Sequence, residues 1–144
     1  MERKHWTLLA LHFAEGKPLT PVQLQKSLFL LGEGFGDSIG DFYHFIPHNY
    51  GPFDADIYRD AMELEREGFA IGKPYPGRSW LQYRVTPEGE TKALQVCGEA
   101  PSEARDYLEK VVNWILPLSF EEIVTTIYSR FPKYRVNSVF QNIP

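Results

Sequence analysis

The sequence predicts a mainly α protein with one small β-hairpin, and three observations carry that expectation. Thr20-Pro21 and Thr86-Pro87 each place an N-cap residue before a proline, which is a strong helix start. Phe53, Ile57, Ala61 and Leu64 fall on one face of a helix running from about Phe53 to Glu67. Behind it, Phe69-Ala70-Ile71 and the alternating run Trp80 to Val85 read as two strands around a Pro- and Gly-rich tip, Pro74 to Ser79.

The first helix is expected over residues 3–15, where Trp6, Leu9, Ala10 and Phe13 share a face and Gly16 ends the run. Thr20 opens the second, with Gln23 placed to reach back to the Thr20 amide. Leu24, Leu28, Leu31 and Phe35 form its inward stripe, and Gln23 and Lys26 are assigned to its exposed face. Residues 32–41, rich in glycine and aspartate, read as a loop. Phe42 to Ile46 is aromatic and β-prone, so a short strand ended by Pro47 is expected there. Asn49-Tyr50-Gly51-Pro52 reads as a turn: Gly51 supplies an unrestricted backbone, Pro52 presets the first helical turn and Phe53 anchors the helix. After the hairpin, a helix runs from Thr86 to about Val96. Another starts at Pro101-Ser102, with Tyr107, Leu108, Val111, Val112 and Ile115 facing one way. Ser119 to Glu122 is a capping box, and Phe120, Ile123, Val124, Ile127, Tyr128 and Phe131 mark the last long helix. From Pro132 onward there is no clear periodicity.

Helix, helix, hairpin is the order of a winged-helix core. The reading is a single domain over 1–144, with that core at about 3–96 and a C-terminal helical extension at about 101–144 packed on it. The 144 residues suit one domain. The formal net charge of −4 removes the basic whole-protein field that usually accompanies nonspecific nucleic-acid binding. The single cysteine, Cys97, excludes an intramolecular disulfide and any metal site built on several cysteines. No apolar run reaches the ~18 residues of a spanning helix. The N-terminal stretch lacks a small-residue cleavage site, and a cytoplasmic location without membrane contact is expected.

Leu24-Gln25-Lys26-Ser27-Leu28-Phe29-Leu30-Leu31, followed by Tyr50-Gly51-Pro52-Phe53 and Ile57-Tyr58, resembles the Panacea (SocA-like) family. Tyr128-Ser129-Arg130-Phe131-Pro132-Lys133-Tyr134 with Asn137-Ser138 is similar to the closing motif of the related YwgA-like small bacterial proteins. The resemblance covers residues 8–70 and, more loosely, the C-terminal tail. It implies a non-enzymatic bacterial or phage protein that neutralises or recruits a partner: an antitoxin, a proteolysis adaptor or a phage-defence component. Thr86-Pro87-Glu88-Gly89, at the end of the hairpin, looks more like transcriptional regulators and supplies the alternative, a DNA-binding regulator.

The candidate surfaces follow from charge. The helix at 53–67 carries Asp54, Asp56, Asp60, Glu63, Glu65 and Glu67 against Arg59 and Arg66, a face that a phosphate backbone would repel. Asp54 and Asp56 offset the helix dipole. Asp56, Asp60, Glu63 and Glu67, with Trp114 off the stripe of its own helix, are the candidate partner-binding residues for a basic protein, with self-association as a homodimer among the options. Lys73, Arg78 and Arg84 on the hairpin, joined by Gln23 and Lys26, are the candidate nucleic-acid contacts. His44 and His48 are the strongest enzymatic motif, but Pro47 between them breaks a helix, and in a strand they lie ~13 Å apart. His44 reads as half-buried and His48-Asn49 as a turn. No catalytic residue, metal ligand or cofactor is expected, and Tyr50, Gly51, Pro52 and Phe53 are assigned to the turn.

Overall fold

The computed structural model describes residues 1–138, and it is mainly α with a small β-hairpin. Its helices are α1 (Arg3–Phe13), α2 (Pro21–Phe35), α3 (Asp56–Arg66), α4 (Pro87–Glu99), α5 (Ser102–Ile115) and α6 (Phe120–Arg130). Its strands are β1 (Ile46–His48), β2 (Gly51–Phe53), β3 (Ala70–Pro74) and β4 (Leu81–Val85), and Pro132–Arg135 is a 3-10 turn.

The capping residues act as their sequence context implies. Thr20 Oγ1 accepts from the Gln23 amide, and Gln23 Oε1 accepts from the Thr20 amide at 2.9 Å. Ser119 and Glu122 form the same reciprocal pair, and Thr86 Oγ1 accepts from the Gly89 amide at 3.0 Å. Each cap satisfies an orphan N–H and contributes about 1 kcal/mol.

Helix α2 is the central element. Every side chain from Leu24 to Leu31 is buried, because α1 and α5 cover one side and α6 and β2 another. One apolar cluster joins Trp6, Leu9, Leu28, Ile57, Leu64, Val85 and Leu108 across α1, α2, α3, β4 and α5. A second, on the opposite flank of α2, gathers Phe29, Val124, Ile127, Tyr128 and Tyr134. The edges of Phe45, Phe131 and Tyr134 meet Phe29 at T-shaped angles. Helix α5 thus contributes to both clusters and α6 to the second, each sharing them with the N-terminal elements.

Strands β3 and β4 are antiparallel, with Ala70 opposite Val85, Gly72 opposite Tyr83 and Pro74 opposite Leu81. That register turns Tyr83 and Val85 inward and Arg84, Gln82 and Lys73 outward. Leu19, just before α2, bridges to β4: its amide donates to the Tyr83 carbonyl at 2.8 Å, and the Tyr83 amide donates back at 3.0 Å. The hairpin is therefore fastened to the start of α2.

The region between α2 and α3 differs from the expectation. The strand predicted at 42–46 lies at Ile46–His48 and pairs with Gly51–Phe53. Pro47 sits inside it, directly opposite Pro52. Alternate pairs of an antiparallel ladder exchange no hydrogen bonds, so two prolines facing each other cost no donor. Phe53 consequently ends β2 and does not anchor a helix, and Pro52 presets no helical turn. Helix α3 begins at Asp56, where Asp54 Oδ1 accepts from the Asp56 amide at 2.8 Å. Gly51 has φ +102°, a conformation that favours glycine, as the turn requires.

Candidate functional site

The acids of α3 are met from within the chain. Arg3 on α1 grips Asp60 with two parallel hydrogen bonds, Nε to Oδ2 at 2.9 Å and Nη2 to Oδ1 at 3.1 Å. The same guanidinium reaches Asp56 at 3.4 Å and lies over the Tyr43 ring. Tyr43 donates to Asp60 at 2.6 Å, and its hydroxyl meets Thr7 Oγ1 at 2.7 Å. Burial, then the hydrogen bond to Asp60, pushes the Tyr43 hydroxyl well above the usual phenol range. The Asp60 carboxylate holds the Arg3 guanidinium above its ordinary range. Lys4 reaches Glu67 at 2.9 Å, Glu63 pairs with Arg66, and Glu65 accepts from the Gly72 amide at 3.1 Å. Asp54 also accepts from the His44 amide at 2.7 Å. The face predicted as a docking surface for a basic partner is thus used largely to fasten α3 to α1 and β3.

A groove of 750 Å³ opens on another side of the molecule. The start of α2 (Thr20 to Gln23, Lys26), the β1–β2 turn (His48 to Gly51), the hairpin tip (Tyr75, Arg78, Trp80) and, at the start of α6, Leu118, Phe120 and Ile123 line it. Tyr75 and Trp80 stack at 4.8 Å on the hairpin side and are 40% and 37% exposed. Tyr50 and Phe120 meet edge to face at 5.1 Å on the α6 side and are 43% and 39% exposed. His48 stacks on Phe53 at 4.6 Å. The lining includes Lys26 and Arg78 but no aspartate or glutamate, in a chain with 19 acids against 15 Lys and Arg.

Lys26 corrects its assignment to an exposed face: it is 3% exposed. The β1–β2 ribbon and α6 cover that side of α2, which an isolated helical pattern cannot show. Lys26 Nζ donates to the Pro52 carbonyl at 3.0 Å, and no carboxylate pairs with it among the described residues. Burial draws its pKa down to about 7. Its neighbour Gln25 clasps residue 54 from both sides, Nε2 to the Asp54 carbonyl at 2.9 Å and the Asp54 amide to Oε1 at 3.0 Å. Two consecutive polar side chains of α2 thereby fix the path from β2 into α3.

Of the residues predicted to touch nucleic acid, the groove brings together Gln23, Lys26 and Arg78. Lys73 and Arg84 lie on the outward face of the hairpin, away from that lining. Trp114 is 40% exposed on α5 and is not part of the groove. Of the turn residues, Tyr50, Gly51 and Phe53 line the groove, and Pro52 supplies the acceptor for Lys26. His44 is exposed, contrary to its half-buried reading, and opens on a separate hollow with Glu33 and Tyr134. His44 and His48 thus face different cavities. Among the described residues no three His, Cys, Asp or Glu side chains gather as metal ligands would, and no helix is long and apolar enough to cross a membrane.

Of the two aromatic walls, Tyr75 and Trp80 stand out in the sequence beside the basic residues of the hairpin, whereas the Tyr50–Phe120 wall does not. Tyr50 was absorbed into the turn and Phe120 into the stripe of the last helix, although Phe120 stands at the exposed first position of α6. The available signal was the 15% aromatic share, well placed to supply a partner surface. No family model matches the chain, and no curated protein matches it.

Proposed function

We propose that the chain is a non-enzymatic interaction protein of the Panacea-like kind, an antitoxin, adaptor or defence-associated protein, that holds a protein partner in this groove. The supporting observation is the two exposed aromatic pairs, Tyr50–Phe120 and Tyr75–Trp80, on the two sides of a groove that lacks acids. Tyr, Trp and Arg dominate the energetic centres of protein interfaces. The acids of α3, by contrast, already have partners in the chain, so a basic protein gains less by docking there. The order α1, Leu19 bridge, α2, α3, β3–β4 hairpin also resembles a winged-helix core, with the β1–β2 ribbon inserted between α2 and α3.

A photo-crosslinking residue placed at Tyr50 or Tyr75 in the native host tests this reading. It should capture one defined protein that the same probe at Met62, exposed on α3, does not capture. Equal capture from Met62, or none from either groove position, contradicts it.

A second reading, DNA contact through the hairpin, is favoured by one observation: Lys73, Arg84 and the tip residue Arg78 are all exposed. It requires a salt-dependent shift with the gene's own upstream DNA, and no binding at ~50 mM salt counts against it, because phosphate contacts are strongest at low salt.

A further inference from the structure

We infer that the groove takes an acidic segment of the partner protein, with one carboxylate seated on the Lys26 ammonium and flanking apolar or aromatic side chains held between the Tyr50–Phe120 and Tyr75–Trp80 pairs. This rests on the interaction reading above and names the chemistry of its occupant.

The first argument is charge complementarity at short range. Lys26 lines the groove, yet it is 3% exposed and lacks a carboxylate partner among the described residues. An ammonium has three N–H donors, and Pro52 accepts one, which leaves two for a ligand. A buried cation without a counter-charge is costly, so an incoming carboxylate gains more there than it would on an exposed lysine. Titratable groups face this site from every neighbouring wall: His48 and Tyr50 from the β1–β2 turn, Tyr58 from α3, Tyr75 and Arg78 from the hairpin, and Tyr128 of α6, which packs against Gly51. None of these is a carboxylate. Glu121 and Glu122 of α6 lie outside the lining, and Glu122 accepts from the Ser119 amide.

The second argument is composition. A single-stranded nucleic acid also stacks on aromatic rings, but its repeating phosphates need a row of cations along the groove. Here the lining offers two, Lys26 and Arg78, and a single buried charge flanked by rings fits one carboxylate among apolar side chains.

The full chain is titrated with acetyl-Phe-Asp-Phe-amide and with its Asn twin, observing the Lys26 Cε resonance and the pH at which it titrates. The Asp peptide is expected to bind at least about tenfold tighter than the Asn peptide. It should also raise the Lys26 titration midpoint, because a bound carboxylate favours the charged amine. Lys26→Met should abolish the preference between the peptides. Equal binding, no perturbation of Lys26 by either peptide, or an unmoved midpoint overturns the inference, and these wild-type measurements stand even if the variant fails to fold. Tighter binding of a short oligothymidylate than of the Asp peptide overturns the choice of a protein segment. If a groove crosslink forms equally well with Lys26→Met, the interaction reading stands and the carboxylate seat falls. If the peptide preference appears but no crosslink forms, the reverse holds.

Discussion

Lys26 Nζ lies 3.0 Å from the Pro52 carbonyl oxygen, so a cation from the middle of α2 holds the ribbon whose turn carries Tyr50 and Gly51. That contact links the core of the fold to the floor of the groove.

It also has a pH signature. Burial lowers the Lys26 pKa from 10.5 to about 7, so between those values the unfolded chain binds the extra proton. Stability therefore rises with pH across that window. Below about 7 both states are protonated and the full cost remains, on the order of 5 kcal/mol. Lys26→Met removes the buried charge at the expense of about 1 kcal/mol for the Pro52 carbonyl left without its donor. Urea unfolding at about pH 6 and about pH 9 should show the variant more stable than the wild type by about 2 kcal/mol or more at the lower pH, with the gap narrowing at the higher.

Arg3 and Asp60 should be energetically coupled. Their bidentate contact is partly buried, and Asp60 also accepts from Tyr43, so Asp60→Ala removes the main acceptor of two donors and leaves Tyr43 only Thr7 and Arg3 only Asp56. A loss of about 2 kcal/mol is expected for Asp60→Ala. A double-mutant cycle with Arg3→Ala should give a coupling of about 1 kcal/mol or more. A coupling near zero would mean that α3 is not fastened to α1 through this pair.

Gly51 has φ +102°, and a Cβ there would meet Tyr128 Cε1 at 3.2 Å and Lys26 Cε at 3.6 Å. Gly51→Ala should cost about 2 kcal/mol, backbone strain adding to crowding. Gly77, also at positive φ, has open space around it, so Gly77→Ala should cost only about 1 kcal/mol by the same thermal or urea melt.

Trp80→Ala and Tyr75→Ala separate binding from stability. Both rings are exposed, so each variant should unfold within about 1 kcal/mol of the wild type. Loss of either should weaken partner binding by about 2 kcal/mol, read by titration calorimetry with the captured partner.

The helix starts were legible because capping is local: Thr20, Thr86 and Ser119 each bond an amide within three residues. The β3–β4 hairpin was legible for the same reason, its turn chemistry and alternation being contained in the residues 69–85. What failed was what depends on distant neighbours. A helical pattern assigns a lysine outward, but the β1–β2 ribbon and α6 cover that side of α2 and bury Lys26. The acids of α3 read as unpaired because Arg3 and Lys4 stand more than fifty residues earlier in the chain. Pro47 reads as a strand end unless its partner is known to be Pro52.

Hydrogen exchange of the chain with and without the partner captured from Tyr50 or Tyr75 is the most direct check on the groove as the contact surface. Binding should slow exchange in residues 48–51, 75–80 and 118–123, the segments that carry groove-lining side chains, and leave residues 62–66 of α3 unchanged. Protection concentrated at 62–66, with the groove segments exchanging as in the free chain, would contradict it.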